Sequence, residues 1–344
     1  MSSDNSSWFI NALQRENNTH VHLQGFEIRN ILTRFFFFIT MIITVTGNLL
    51  VITAIATSKK LQSYKNNWLL CNLAVADLLQ GAIAVPLRIV ETFPSFANYI
   101  SCRVAIPLSI LFGGTSNITI LFVSVERFLA IYYPFFHINF FTSKVAKSLI
   151  GFSWFTVGLF SLISATHLTW NEKNPSQHMR FCRFPVYLKK EYIWSLYSYV
   201  HIIPISLVIV LYGFILKASC QQAHRIHQQN VAVCINRFSR SGKLTALNAK
   251  SSSNLSLYLK KFKGIKVVSV VVGLFIFLVL PIVVIDVIDV VQGMRPSPDV
   301  VQLAVCMIYA NNCVNVFVYA GFNQEYRQNF KRILRRIFCW SRRG

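Results

Sequence analysis

An acid and a base stand side by side near the end of a long apolar stretch. The stretch reads SNITILFVSVERFLAIYYP, and the pair is Glu126 and Arg127, shortly before Pro134. A charge removed from water needs a partner, because the desolvation penalty of an unpaired ion is large. The two side chains can neutralise each other until a conformational change offers Arg127 another partner. The alternative is an arginine whose long side chain simply reaches the membrane boundary.

Polar side chains in other apolar stretches suggest a site for a small cation. They are Asp77 in NLAVADLL, Ser116, and Asn311 and Asn315 in YANNCVNVFVY. A lone Asp at mid-membrane costs roughly 2.5–3.5 kcal/mol, and oxygen-rich clusters suit hard cations. We therefore predict that the four residues meet in the interior, where they hold a sodium ion or ordered water. Plain hydrogen bonding between helices is the alternative, and no other cofactor is expected.

Catalytic motifs do not occur in the chain. The sequence contains no HExxH, no phosphate-binding GxxxxGK[ST] loop, no GxSxG and no CxxC pair. These arrangements supply metal ligands, phosphate cradles, activated nucleophiles and redox thiols. An enzyme is therefore not predicted.

The elements that hold these residues are seven apolar stretches of membrane-spanning length. Among 344 residues, 54% are apolar and only 13% are charged, about half the charged fraction of soluble domains. A helix that crosses a bilayer needs about 20 apolar residues. The stretches, which we call spans 1 to 7, cover residues 31–57, 68–90, 104–132, 145–168, 193–216, 265–290 and 300–320. The sequence predicts an all-α integral membrane protein with a seven-helix bundle at residues 31–320.

Basic residues are concentrated on one side of the predicted bundle. The net charge is +22, and most of the 34 Lys and Arg lie in the 1–2, 3–4 and 5–6 connections and after Ala320. Basic loops stay in the cytoplasm, so residues 1–30 are predicted to be an extracellular segment. Anionic lipid of the inner leaflet and a cytoplasmic partner explain this asymmetry better than nucleic acid does. Residues 321–344 have the spacing of a basic amphipathic helix on that leaflet.

Several covalent modifications follow from this orientation. Asn5 and Asn17 begin N-x-S/T triplets and are predicted to be glycosylated. Cys102 and Cys182 both face the oxidising side, so a disulfide between them is expected. Cys339 follows the basic tail segment and is predicted to be S-acylated.

The order of short motifs along the chain points to one family. These motifs are GN in span 1, LAVAD in span 2, Cys102 and ERF at the two ends of span 3, Trp154, Pro204, Tyr212, Phe275, Pro281 and NxxxY in span 7. Over residues 31–339 the chain resembles the rhodopsin-like (class A) G-protein-coupled receptors. The resemblance implies that Glu126 restrains Arg127 at rest. Arg127, Tyr212 and Tyr319 then contact a heterotrimeric G protein on activation, with Phe275 as a packing group in span 6.

The chain departs from the family pattern at three places. Val279 stands where the family has a Trp, and Val316 replaces the Pro of span 7. The inner end of span 6 reads LKKFKGIK and lacks the acid that often grips the arginine. We therefore expect a weakened resting state with measurable basal signalling. A receptor-like membrane scaffold that signals atypically, or not through G proteins, is the alternative function.

The resemblance also implies a ligand pocket between the outer halves of spans 3, 5, 6 and 7. We expect it to include Ser109, Phe112, Phe184, Asp286 and Tyr309. Ser109 stands where monoamine receptors carry an Asp, and span 7 has no Lys for retinal. NLAVADLLQGAIAVPL and CRF are similar to adenosine receptors. A small purine-like or amine-like ligand is favoured, with its identity open.

The two acids at the outer end of span 6 have two interpretations. Asp286 and Asp289 lie one helical turn apart, so they could attract a cationic ligand. They could equally pair with the basic outer loop, which we expect for Asp289 and leave open for Asp286. Arg88 and Glu91 are expected to pair with each other. A transporter is disfavoured because no internal repeat is apparent, so we predict a multi-pass plasma-membrane receptor.

Overall fold

The computed structural model describes residues 4–93, 99–170, 182–218, 273–294 and 296–341, with the single positions 221, 228 and 270. Side chains are described between Ile28 and Arg336 within these ranges, except at residues 99, 100, 167 and 322. Apart from an isolated bridge between Trp170 and Leu188, the regular structure of these residues is helical. The side chains of Asn5, Asn17 and Cys339 lie outside the described part, as do all residues of LKKFKGIK.

Seven helices are long and apolar enough to cross a membrane, which confirms the predicted architecture. Spans 1 to 7 cover Ile28–Thr57, Asn67–Glu91, Ser101–Tyr132, Ser143–Ala165, Lys190–Ala218, Gly273–Gln292 and Pro298–Gly321. Span 1 is the end of a longer helix, Asp4–Thr57. This helix begins well before residue 31, where the sequence predicted that span 1 starts. Span 4 ends at Ala165 and not at Leu168, because the chain becomes extended at Thr166. Shorter helices are Lys59–Ser63, Pro134–Phe140, Phe184–Tyr187 and the tail helix, Gln324–Ser341.

Large apolar side chains cover the outside of the bundle. Phe155 and Leu162 of span 4 are each 67% exposed, and Phe277 of span 6 is 65% exposed. Soluble proteins rarely display contiguous apolar surface of this kind. Lipid chains are therefore the environment in which these helices are stable.

Buried polar side chains fix how the helices face one another. Asn72 of span 2 donates to Thr119 Oγ1 of span 3 at 2.8 Å and accepts from Trp154 Nε1 of span 4 at 2.8 Å. Asn48 of span 1 donates from Nδ2 to the carbonyl of Asn312 in span 7 at 3.1 Å. Such bonds satisfy groups that would otherwise be unpaired in lipid, so they set the rotation of the helices.

Span 7 runs as one helix through the position where the family has proline. Val316 lies within the helix Pro298–Phe322 and is buried. A Cβ atom on Gly47 of span 1 would lie 2.8 Å from Cγ2 of Val316. The valine therefore packs against a glycine, and spans 1 and 7 approach closely there.

The tail helix is docked beneath spans 1, 2 and 7. The Tyr326 ring is fully buried and stacks on Tyr319 at 5.4 Å, and its hydroxyl donates to Asn67 Oδ1 at 3.2 Å. Burial raises the pKa of the Tyr326 phenol above its usual value, so this donor stays protonated. Lys60 Nζ lies 2.6 Å from Glu325 Oε1. Among the described side chains of this helix the exposed basic residues are Arg327, Lys331, Arg332, Arg335 and Arg336.

Candidate functional site

A cavity opens among spans 2, 3, 5, 6 and 7 beneath the segment that follows Cys182. Four residues predicted from the sequence line it: Ser109, Phe184, Asp286 and Tyr309. The cavity volume is about 110 Å³, below the roughly 300–1,000 Å³ of pockets for drug-sized ligands. The enclosed space therefore suits a small compound.

Phe112 does not belong to this lining. The residues of span 3 that line the cavity are Ser109, Ile110, Gly113, Gly114 and Asn117, which is the spacing of one helical face. Phe112 is buried in span 3 and is absent from the described cavity lining. Its contact with a ligand therefore stays a prediction.

A disulfide and an ionic network hold the outer segment over the cavity. The bond joins Cys102 and Cys182, which are 80 residues apart in sequence, so the predicted disulfide is present. The backbone of Cys182 donates to Glu91 Oε2 at 3.3 Å and accepts from Arg88 Nη2 at 3.3 Å. Arg88 and Glu91 pair at 2.7 Å, which confirms that expectation. Burial, and then the carboxylate of Glu91, raise the pKa of the neighbouring Tyr187 phenol.

The two acids of span 6 share one arginine of the outer segment. Arg183 Nη2 lies 2.9 Å from Asp286 Oδ1 and 3.0 Å from Asp289 Oδ2. The hydroxyl of Tyr197 donates to the second oxygen of Asp286. The expected pairing of Asp289 with the basic loop is confirmed. Asp286 is paired as well, so a cationic ligand would have to displace Arg183 from it.

The middle of the cavity is formed by a serine and a tyrosine that face each other. Ser109 Oγ and the Tyr309 hydroxyl lie 3.4 Å apart, and Tyr309 accepts a bond from Arg88 Nε at 3.0 Å. This layer offers neutral hydroxyls beside a guanidinium that Glu91 already balances. It can therefore hydrogen-bond a ligand without supplying a net charge.

The deepest polar residues of the cavity were not singled out from the sequence as ligand contacts. They are Gln80 of span 2, Asn117 of span 3 and His201 of span 5. Gln80 and His201 both lie in π-helical turns, Gln80–Ala84 and Ser198–Ile202. Such turns insert an extra residue and often mark functional sites. The only available signal was a polar residue inside an apolar stretch.

Three of the four residues predicted for the cation cluster meet in the interior. Asp77 is completely buried. It accepts from Ser116 Oγ at 2.8 Å and from Asn315 Nδ2 at 2.9 Å. Asn311 instead lines the floor of the cavity. Within the described residues Asp77 has no cationic partner, so its environment is one that a small cation would complete.

One apolar cluster connects the cavity with the inner face. Ile282 and Val283 line the cavity, and the same cluster contains Val279, Phe275 and Tyr212. Phe128, the residue after Arg127, packs against this cluster at its inner end. Close-packed side chains transmit displacement, because protein interiors have few voids. A change in packing at Ile282 can therefore reach the inner end of span 3.

The acid and base of span 3 are adjacent but not well aligned. Arg127 Nε lies 3.1 Å from Glu126 Oε2, yet neither atom makes a hydrogen bond within the described residues. Oε1 of Glu126 lies 2.9 Å from Nε2 of His137 in the helix Pro134–Phe140. Glu126 is buried and the Arg127 side chain is 30% exposed. The pairing is thus weak, and His137 is a second partner that the sequence did not reveal.

Comparison with known proteins gives a consistent family. The family model described as 7 transmembrane receptor (rhodopsin family) matches residues 47–319. The chain is 25% identical to the Adenosine receptor A2b of Gallus gallus, over 88% of this chain and 87% of that protein. It is 27% identical to the D(1A) dopamine receptor of Xenopus laevis, over 88% and 72% respectively. It is 26% identical to the Trace amine-associated receptor 7e of Rattus norvegicus, over 85% and 79%.

Proposed function

Because the chain belongs to the rhodopsin family of seven-transmembrane receptors, we propose that it converts binding of a small extracellular ligand into activation of a heterotrimeric G protein. Members of this family are receptors and not enzymes, and they are multi-pass proteins of the plasma membrane. Heterotrimeric G proteins are their partners. For this chain we propose the class of ligand, the activation of a G protein and an N-terminus outside the cell.

The continuous cluster between the cavity and span 3 carries this proposal. Its outer members, Ile282 and Val283, line the cavity, and its inner end touches Phe128 beside Arg127. Within the described residues the ion pair of Arg127 is the unaligned contact with Glu126. A small shift of span 6 would therefore expose a guanidinium to a cytoplasmic partner. The same weak restraint supports basal activity.

The proposed ligand is small and does not depend on an acidic anchor in span 3. Ser109 occupies that level of the cavity, and Asp286 is already paired with Arg183. The relatives are named for adenosine, dopamine and trace amines. Adenosine and dopamine are therefore the first compounds to test.

We expect G-protein dissociation above background in cells that express this chain, measured over a panel of G-protein subtypes. A tag placed before Met1 should be reached by antibody on intact cells, because we propose that the N-terminus lies outside. Receptor-free cells and cells with an equal surface level of an unrelated membrane protein are the controls. No dissociation above these controls, with or without adenosine and dopamine, would favour the receptor-like scaffold.

The residues around Asp77 fit a sodium ion, which we propose that they hold. Asp77 would supply the charge, and Ser116 and Asn315 orient its carboxylate. We expect the purified protein to melt a few degrees higher in sodium chloride than in potassium chloride at equal ionic strength, because a ligand that binds only the folded state stabilises it. Asp77→Asn should remove the difference. Equal melting temperatures for wild type would contradict the sodium site.

The exposed face of the tail helix is the proposed contact for anionic lipid. It carries Lys331, Arg332, Arg335 and Arg336, and each basic residue near an anionic leaflet contributes about 1 kcal/mol. Replacing all four with glutamine should reduce enrichment of phosphatidylserine around the purified protein. Unchanged lipid enrichment would argue against this contact.

A further inference from the structure

Gln80 presents an unused acceptor at the floor of the cavity. Its side chain is 5% exposed and lines the cavity. Within the described residues its Oε1 is buried and has no hydrogen-bond partner. A buried amide oxygen that has lost its water and gained no donor destabilises the structure around it. An occupant of the floor that carries a donor would remove this destabilisation.

His201 and Asn117 form a second polar group on the same floor. Asn117 Nδ2 and His201 Nδ1 lie 3.2 Å apart, and both side chains are at most 9% exposed. The contact occupies one ring nitrogen of His201. In the described part of the chain the other nitrogen, Nε2, has no hydrogen-bond partner. The imidazole is therefore a further hydrogen-bonding group directed to the cavity.

The local backbone leaves space for an occupant between these groups. Gly113 lies beside Gln80, and a Cβ atom there would come within 3.9 Å of Gln80 Oε1. Gly113 and Gly114 both line the cavity, so span 3 offers backbone and no side chain at this level. The two π-helical turns carry Gln80 and His201 toward this space.

Charge is confined to the upper part of the cavity. Arg88 is balanced by Glu91, and Arg183 is shared by Asp286 and Asp289. The floor residues Gln80, Asn117 and Asn311 have uncharged side chains. A cation or anion placed on the floor would thus lose its hydration without gaining an opposite charge.

We propose that Gln80, Asn117 and His201 form a binding subsite for an uncharged group with both a hydrogen-bond donor and an acceptor, such as a primary amide or a hydroxyl. The subsite rests on the proposed function, because it names the part of the ligand that reaches deepest. The donor of that group contacts Gln80 Oε1, and His201 bonds its oxygen. The rest of a small ligand fills the space below Tyr309.

Four probes of one size and different charge test this subsite. They are benzamide, benzyl alcohol, benzylamine and potassium benzoate, each titrated against the purified full chain with thermal stability as the readout. We expect benzamide and benzyl alcohol to stabilise wild type more than the two charged probes do. The proposal would be overturned if a charged probe stabilised wild type as much as benzamide does, or more. It would also be overturned if none of the four probes stabilised wild type.

Three variants show whether the effect comes from the floor. Gln80→Leu should weaken benzamide binding about tenfold, which is the effect of one lost hydrogen bond at the upper end of its range. Gln328→Leu, at an exposed glutamine of the tail helix outside the cavity lining, is the matched control and should leave benzamide binding unchanged. Gln80→Glu keeps the side-chain shape and should shift preference to benzylamine, which covers the case in which Gln80→Leu does not fold. Equal benzamide binding by wild type and the folded Gln80 variants would overturn the proposal.

The experiment distinguishes failure of the proposed subsite from failure of the proposed signalling function. The thermal measurement uses no G protein, so an intact probe effect without nucleotide exchange would contradict the signalling function and leave the subsite standing. Exchange without any probe effect would contradict the subsite alone.

Discussion

Arg127→Ala should reduce ligand-independent G-protein activation to the level of receptor-free membranes, while the protein still reaches the cell surface. The Arg127 side chain is 30% exposed and makes one unaligned contact with Glu126, so its loss removes little packing. Its positive charge is what a partner would meet at the inner end of span 3. The measurement is guanine-nucleotide exchange in membranes matched for surface level.

Arg103→Ala is the matched control, because Arg103 lies at the outer end of the same span. Its guanidinium lies over the Trp170 ring at 5.8 Å, far along the helix from Arg127. We expect exchange in this variant to equal that of wild type. Exchange by Arg127→Ala that equals wild type would refute the assigned role of the inner pair.

Cys182→Ser should lower stability more than any other single change proposed. The bond with Cys102 closes a loop with a sequence separation of 80 residues, and loss of such a bond costs about 2–5 kcal/mol. The bridge also positions Cys182 beside Arg88 and Glu91, and Arg183 beside Asp286. We expect a lower melting temperature for the purified variant and a reduced amount at the cell surface.

The control for the disulfide is a cysteine that is free in the structure. Cys306 of span 7 is half-buried and unbridged, so Cys306→Ser should change the melting temperature far less than Cys182→Ser does. Cys102→Ser should reproduce the Cys182→Ser effect, and the double variant should add nothing to it. Additive losses would show that the two sulfurs act independently.

The membrane spans and the outer bridge were predictable from sequence because they depend on local or topological rules. Span length follows from bilayer thickness, and the side of each loop follows from its basic residues. Those two rules place Cys102 and Cys182 on one face, where the structure joins them. The Arg88–Glu91 pair was equally accessible, since three residues on a helix bring side chains together.

Contacts between distant spans could not be read from the chain in this way. His137 lies 2.9 Å from Glu126 only because the helix Pro134–Phe140 folds back beneath span 3. Gln80 and His201 reach one cavity through two π-helical turns, which apolar periodicity does not reveal. Phe112 was predicted as a ligand contact, and it is buried in span 3 without appearing in the described cavity lining.

Nucleotide exchange by purified components tests the central proposal most directly. Purified wild type and purified Arg127→Ala would each be placed in lipid nanodiscs and mixed with one purified heterotrimer at a time. GDP release would be followed for both in parallel. We expect at least one heterotrimer to release GDP faster with wild type than with empty nanodiscs, and at the empty-nanodisc rate with Arg127→Ala. Equal rates with wild type, the variant and empty nanodiscs, for every heterotrimer and in the presence of adenosine or dopamine, would contradict a G-protein-activating receptor.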